Sequence, residues 1–485
     1  MSRMLGWIGI LLPWLSLACL LWFEGMPTFS FSPRQGGLLS ASLLGASLTG
    51  GLAVILGGSA ALYAMRAPLK RMKPVAVLLA LGAALPPIIS ASALLTLFGK
   101  VSPSLSQGWA PALVAQSLTL APLAGLILLL TLLSLSGDEI DSSIVFLSER
   151  KAFTQVLLPL CRPGILAAFA ATATLSLLDF TVPTLFGLTT SMVEVYSDLT
   201  AGRNGISSSW PHFLAALPCV AAMGLWLSSQ PGAKRSDLRP VGHLPLPTGL
   251  VKSSTTTAIG LVLAFAFLVT LLGFQGLANP QAFQSVSGSL PDLGSSLKLA
   301  LLASLFTLPL AVLSGRLLSS SHSLIIWMAA LAPACIPPAL VGTAVAQAAV
   351  SWGIEGISAP VLAQILRFLP FTSVVSALWW GRRNQEVEGA SQVLLPPFRR
   401  FVLATLPAAA PQLLALFMVV FALSLGELGA TLLVIPPGES TLTIRLYNFL
   451  HYGSAPDSAM LTLLLLVCAL LPLGVISAAE RFKHA

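Results

Sequence analysis

Apolar stretches long enough to cross a bilayer alternate along this chain with short polar connections. A spanning helix needs about 20 apolar residues. The runs at 4–23, 38–65, 74–98, a fourth ending at Ser136, 161–188 and 210–229 meet that test, as do 254–274, 291–315, 323–350, 359–380, 407–435 and 456–479. They are continuous and lack the ten-residue alternation of an outer-membrane barrel, so helices are the expected spanning elements. The expectation is an all-α integral membrane protein of about 12 transmembrane helices. Residues 236–253, rich in proline, glycine and cations, read as a linker between a first half at 1–235 and a second at 254–485. Six spans on each side place both termini on one side of the membrane, the cytoplasmic one.

The two halves share a register. Pro159 and Pro407 are 248 residues apart, and each is followed four residues later by another proline, Pro163 and Pro411. Phe153 and Phe401 keep the same offset, as do Asp179 and Glu427. The Pro86-Pro87 pair, which interrupts the third run, returns as Pro337-Pro338 at an offset of 251. Proline pairs are tolerated in spans where neighbouring protein satisfies the freed carbonyls, so this span is expected to face other helices. The series reads as a parallel internal duplication.

Composition agrees with the pattern. Of 485 residues 56% are hydrophobic and 9% charged, where a soluble domain carries roughly 25% charged residues. The net charge of +8 gathers in short connections, such as Arg66 to Lys73, Arg150 to Arg162, Lys234 to Lys252 and Arg382 to Arg400. That is the signature of cytoplasmic loops, not of nucleic-acid binding. Cys19, Cys161, Cys219, Cys335 and Cys468 lie in or beside apolar runs without metal-ligand spacing and read as single thiols. Gly99-Lys100 is the only Gly-Lys pair, and Val101 stands where a P-loop needs Ser or Thr. No nucleotide site, metal set or catalytic constellation is expected in this chain.

Two loops carry the candidate chemistry. The stretch from Glu388 to Pro411 opens on an acid, carries Arg399 and Arg400 midway and closes on Leu406-Pro407. An acid at a helix start and cations toward its end suit the helix dipole, and Pro407 would begin a span at no cost in hydrogen bonds. This layout resembles the "EAA" loop of permease subunits in binding-protein-dependent ABC importers. Glu388, Gly389 and Ala390 stand at its first three places, Leu406-Pro407 at its last pair, and Leu394 at its glycine. Counting back from Pro159, the first half has Ile140 at the glutamate place among Asp138, Glu139 and Asp141, and Phe146 at the glycine place. That resemblance implies unequal docking of partner ATPases by the two loops; a merely solvated charged connection is the alternative for the first.

Asp179 and Glu427 are intramembrane acids, and a charge at the bilayer centre costs roughly 2.5–3.5 kcal/mol, so such groups face a cavity or a partner. They read either as lining an outer entrance, or as capping a broken helix or pairing with a base such as Arg203 or Arg445. Arg367 reads as a partner of Glu427 or Glu355, or as a contact for an anionic ligand. Residues 177–183, 367–370 and 424–453 resemble segments of the fused ferric iron permeases, a group close to the thiamine, polyamine and oxyanion permeases. The resemblance implies a type I ABC importer permease in a bacterial inner membrane, with ferric iron the favoured cargo. Its implied partners are lipid, a periplasmic or lipid-tethered binding protein and two ATPase subunits that carry ATP and magnesium, with no nucleic acid. The rival readings are an ion-coupled secondary transporter and a membrane scaffold.

Overall fold

The computed structural model describes residues 2–25, 32–66, 69–135, 137–202, 205–229, 244–381, 389, 391 and 393–484. Every regular element among them is helical. The first half holds α1 (Ser2–Leu11), α2 (Trp14–Glu24), α3 (Pro33–Arg66), α4 (Leu69–Ala84), α5 (Pro87–Val101), α6 (Trp109–Leu133), α7 (Gly137–Phe146), α8 (Glu149–Ala152), α9 (Leu158–Leu177), α10 (Thr181–Leu185), α11 (Ser191–Thr200) and α12 (Gly205–Ser229). The second holds α13 (Thr248–Leu277), α14 (Ala282–Gly288), α15 (Leu290–Ser319), α16 (Leu324–Leu331), α17 (Pro338–Trp352), α18 (Ser358–Trp380), α19 (Pro397–Arg400), α20 (Leu406–Leu425), α21 (Thr431–Val434), α22 (Leu442–Tyr452) and α23 (Ala455–His484). Among the described residues nine helices are long and apolar enough to cross a membrane, and three bent pairs bring the number to 12.

Those bends revise the span boundaries. The first run is not one helix: α1 and α2 meet at 54°, because Pro13 cannot supply the N–H that a continuous helix requires. α4 and α5 turn by 86° at Pro86-Pro87, and the segment ending at Cys335 turns by 83° into α17 at Pro337-Pro338. In each pair the first proline takes an extended ψ, 133° and 136°, as a residue preceding proline must. The fifth and eleventh spans also end early, at Leu177 and Leu425, and not at residues 188 and 435. Pro407 does not begin a span either. Phe401–Thr405 form a π turn that runs directly into α20, and Phe153–Leu157 do the same before α9. A widened turn ahead of each proline relieves the clash between its ring and the preceding turn.

Of the expected linker, residues 236–243 lie outside the described residues, while 248–253 already belong to α13. The opening helix of each half leans on the other half: α1 packs on α15 and α2 on α17, while α13 packs on α3 and α5. Small residues allow the central helices to approach closely. A Cβ on Gly57 of α3 would lie 2.1 Å from the Ala121 carbonyl oxygen of α6, and one on Gly315 of α15 would lie 2.3 Å from the Ser376 hydroxyl of α18. These two helix pairs form the middle of each half and carry the site.

Candidate functional site

The site grows out of the two places where a span stops short. α9 ends at Leu177, and Oδ1 of Asp179 accepts hydrogen bonds from the backbone N–H of Thr181 at 2.8 Å and of Val182 at 3.4 Å. α20 ends at Leu425, and Glu427 accepts at 2.8 Å from both the Ala430 and Thr431 N–H groups, and also from the Thr431 hydroxyl. Each acid therefore caps the short helix after the break, satisfying donors that a helix start leaves unpaired. The second turn contains two extra residues, Gly429 and Ala430, and the additional methylene of glutamate spans them.

Each cap is braced by a glutamine that sequence reasoning did not single out. Gln116 on α6 donates to Asp179 Oδ2 at 3.0 Å and accepts from Ser176 at 2.8 Å. Gln364 on α18 donates to the Thr431 hydroxyl at 3.1 Å and accepts from Ser424. Gln116 and Gln364 are 248 residues apart, and so are Ser176 and Ser424. The signal was in the sequence, because both pairs keep the register of the prolines, but neutral residues inside apolar runs do not announce themselves.

Arg367 breaks the match. Its Nε lies 3.5 Å from Glu427 Oε1, with the carboxylate 1% and the arginine side chain 28% exposed. It also lies within electrostatic range of Asp179 from the other half. The position 248 residues earlier is Thr119, which is hydrogen-bonded to Ser90 on α5. The base beside Glu427 is therefore Arg367 and not Arg445, which instead pairs with Asp292 at 3.4 Å; Arg203 and its environment lie outside the described residues. Both acids cap a helix start, and Glu427 also has a basic neighbour in Arg367.

Beyond the breaks an aromatic layer joins the halves. Phe180 stacks on Tyr196 at 4.6 Å and stands 6.4 Å from Tyr447, whose hydroxyl donates to Thr184 at 3.3 Å. Burial pushes the Tyr196 phenol up to about 12, aided by Tyr447, so this layer stays uncharged at neutral pH. The helices bearing the tyrosines, α11 and α22, are each held at the start by a serine: the Ser191 N–H donates to Ser42 at 3.0 Å and the Leu442 N–H to Ser296 at 2.7 Å. An ion pair lies nearby in each half, with its polarity exchanged: Arg34 of α3 to Glu194 of α11 at 3.7 Å, and Asp292 of α15 to Arg445 of α22.

The other end of α9 and α20, about 30 Å away at 1.5 Å per residue, carries the loops. Asp141 is exposed on α7. So are Val145 and Phe146, at 77% and 84%, and Val393 and Leu394, at 86% and 76%; the two pairs are 248 residues apart. Gly389 is helical and exposed, Arg399 is exposed and Arg400 half-buried; Leu406 and Pro407 are exposed at the head of α20. Glu388 and Ala390 lie outside the described residues. The five cysteines are free thiols.

Comparison with known proteins gives a partial match. Over 102 residues, 21% of the chain, it is 33% identical to proteins of Salmonella typhimurium LT2 and Salmonella choleraesuis SC-B67, whose names place them provisionally as permease proteins, PhnV, of a 2-aminoethylphosphonate transport system. A protein of Salmonella paratyphi A with the same name matches to the same extent. The chain spans 38% of the length of each of these relatives. No protein-family model matches the chain.

Proposed function

We propose that this chain is the membrane permease of an ATP-driven importer, passing a small solute between its two halves into the cytoplasm. The observation that carries the reading is the pair of exposed apolar couples, Val145-Phe146 and Val393-Leu394, at matching positions of two loops at the same end of the helix layer. Apolar side chains left in water beside charged loop residues fit docking knobs for partner subunits. Asp141 belongs to the first knob; Glu388, Gly389, Ala390, Arg399, Arg400, Leu406 and Pro407 belong to the second. The halves arise by internal duplication, and the acid caps of Asp179 and Glu427, with Arg367, border the path. ATP hydrolysis, with its magnesium, is supplied by two separate ATPase subunits, and a binding protein delivers the solute. The partial similarity to transport-system permeases supports this class.

For the cargo, two indications diverge. The resemblance to fused iron permeases favours ferric iron, whereas the names of the relatives concern a phosphonate. Both path acids are engaged by backbone and side-chain donors. Among the described residues, no cluster of three or more His, Cys, Asp or Glu side chains is placed to hold a metal.

The test of the class is purification of the tagged chain in mild detergent, identification of co-purifying proteins and an ATPase assay. An ATPase subunit is expected with the wild type and lost or uncoupled with Phe146→Asp combined with Leu394→Asp. A chain that comes out alone, with uptake following an ion gradient, would return the secondary-transporter reading.

A further inference from the structure

The polar contacts of the three charges leave one group with unused capacity. A guanidinium has five N–H donors, and the approach of Arg367 to Glu427 is through Nε, at 3.5 Å, longer than a good N–H···O bond. Both Glu427 oxygens already accept from the Ala430 and Thr431 backbone. The Arg367 side chain is nevertheless 28% exposed, although it sits about 14 Å into a helix of 1.5 Å rise per residue, in the middle of a span. That arginine stands beside Glu427 of its own half and within electrostatic range of Asp179 of the other.

Resting on the permease reading, we propose that Arg367 is the anion-binding group of the translocation path, receiving two oxygens of a phosphonate- or phosphate-type solute on its Nη groups. A planar fork of N–H groups matches a pair of anionic oxygens, where an ammonium would act only as a point charge. Both carboxylates already accept hydrogen bonds, Asp179 from Thr181, Val182 and Gln116 and Glu427 from Ala430 and Thr431, so each is held by donors other than Arg367. The site is single: at the matching position of the first half stands Thr119, already bonded to Ser90. The solute is thereby held on one side of the path, by the second half.

The test is equilibrium binding to the full-length chain in lipid nanodiscs, with 2-aminoethylphosphonate, methylphosphonate and orthophosphate as anionic probes and thiamine and ferric citrate as comparators. The wild type is expected to bind a phosphonate or phosphate probe. Arg367→Gln should weaken it roughly 10- to 100-fold, the range of a charge-assisted hydrogen bond, and Arg367→Lys should fall between, keeping the charge but losing the fork. Because Arg367→Gln also removes the counter-ion of Glu427, the double variant Arg367→Gln, Glu427→Gln is the deciding one. It is expected to bind as poorly as Arg367→Gln. Recovery of wild-type affinity in the double variant would make Arg367 a counter-ion only and overturn the proposal. So would equal anion binding by wild type and Arg367→Gln, or a wild type that holds only thiamine or ferric citrate. Recruitment of the ATPase is read separately, so a chain that recruits it but binds anions independently of Arg367 loses this assignment and keeps the permease reading.

Discussion

The turn after α9 and the turn after α20 do the same job with different charge. Both stop a span, cap a short helix with an acid and brace it with a glutamine and a serine in one register. Only the second adds a cation, Arg367, where the first has a hydroxyl pair, Thr119 and Ser90. The shared parts are what a broken helix demands wherever it occurs, because its orphan N–H groups have no water to turn to. The arginine answers no such demand; it stands beside Glu427 and is what distinguishes the second turn from the first.

The largest break in this comparison should come from the acids. Glu427→Ala removes a cap and strands Arg367 as an unpaired charge inside the bundle, and breaking a buried pair in this way costs about 3–5 kcal/mol. Asp179→Ala loses a cap and one glutamine contact, with an expected cost of about 1–2 kcal/mol. Thermal unfolding in detergent should rank them in that order, and equal losses would contradict the asymmetry. Comparable to the Asp179 change, Gln116→Leu and Gln364→Leu should each cost about 1–3 kcal/mol for the polar atoms left unpaired. Their similarity would mark the glutamines as shared scaffolding.

At the loops the comparison concerns function and not stability. Phe146→Asp and Leu394→Asp are exposed changes, expected to leave thermal unfolding unchanged within about 0.5 kcal/mol while lowering ATPase coupling in the reconstituted complex. A larger loss for Leu394→Asp would show that the loops dock unequally; a loss of neither would remove the docking role.

Smaller effects belong to the aromatic layer and the ion pairs. The folded-state pKa of Tyr196 is raised, so the stabilisation from its buried neutral phenol is fully present below the unfolded value of about 10 and is lost as pH rises toward about 12. Unfolding temperature against pH, with Tyr196→Phe as the control that flattens the curve, reads this directly. Smallest of all, exchanging charges in one pair, Asp292→Arg with Arg445→Asp, keeps the contact and gives that half the polarity of its counterpart, so stability should shift by no more than about 1 kcal/mol.

Much of this was legible in the chain itself. Apolar run length makes a helical membrane protein unavoidable, because backbone groups in lipid must be satisfied within the segment. The proline spacings put the two halves in one register, and an acid inside an apolar run had to find donors or a partner. What the chain order could not supply was the direction of each side chain after a helix stops. Whether Asp179 and Glu427 faced a path or the next helix start depended on the breaks at Leu177 and Leu425, which two long apolar runs concealed. Gln116 and Gln364 carried no charge to draw attention. The choice of Arg367 over Arg445 as the partner of Glu427 rested on which helices touch, and sequence separation says nothing of that. The elements and their order were thus determined by local physics, hydrophobic length and the chemistry of proline, while the tertiary packing decided which glutamine braces each cap and which arginine stands beside Glu427.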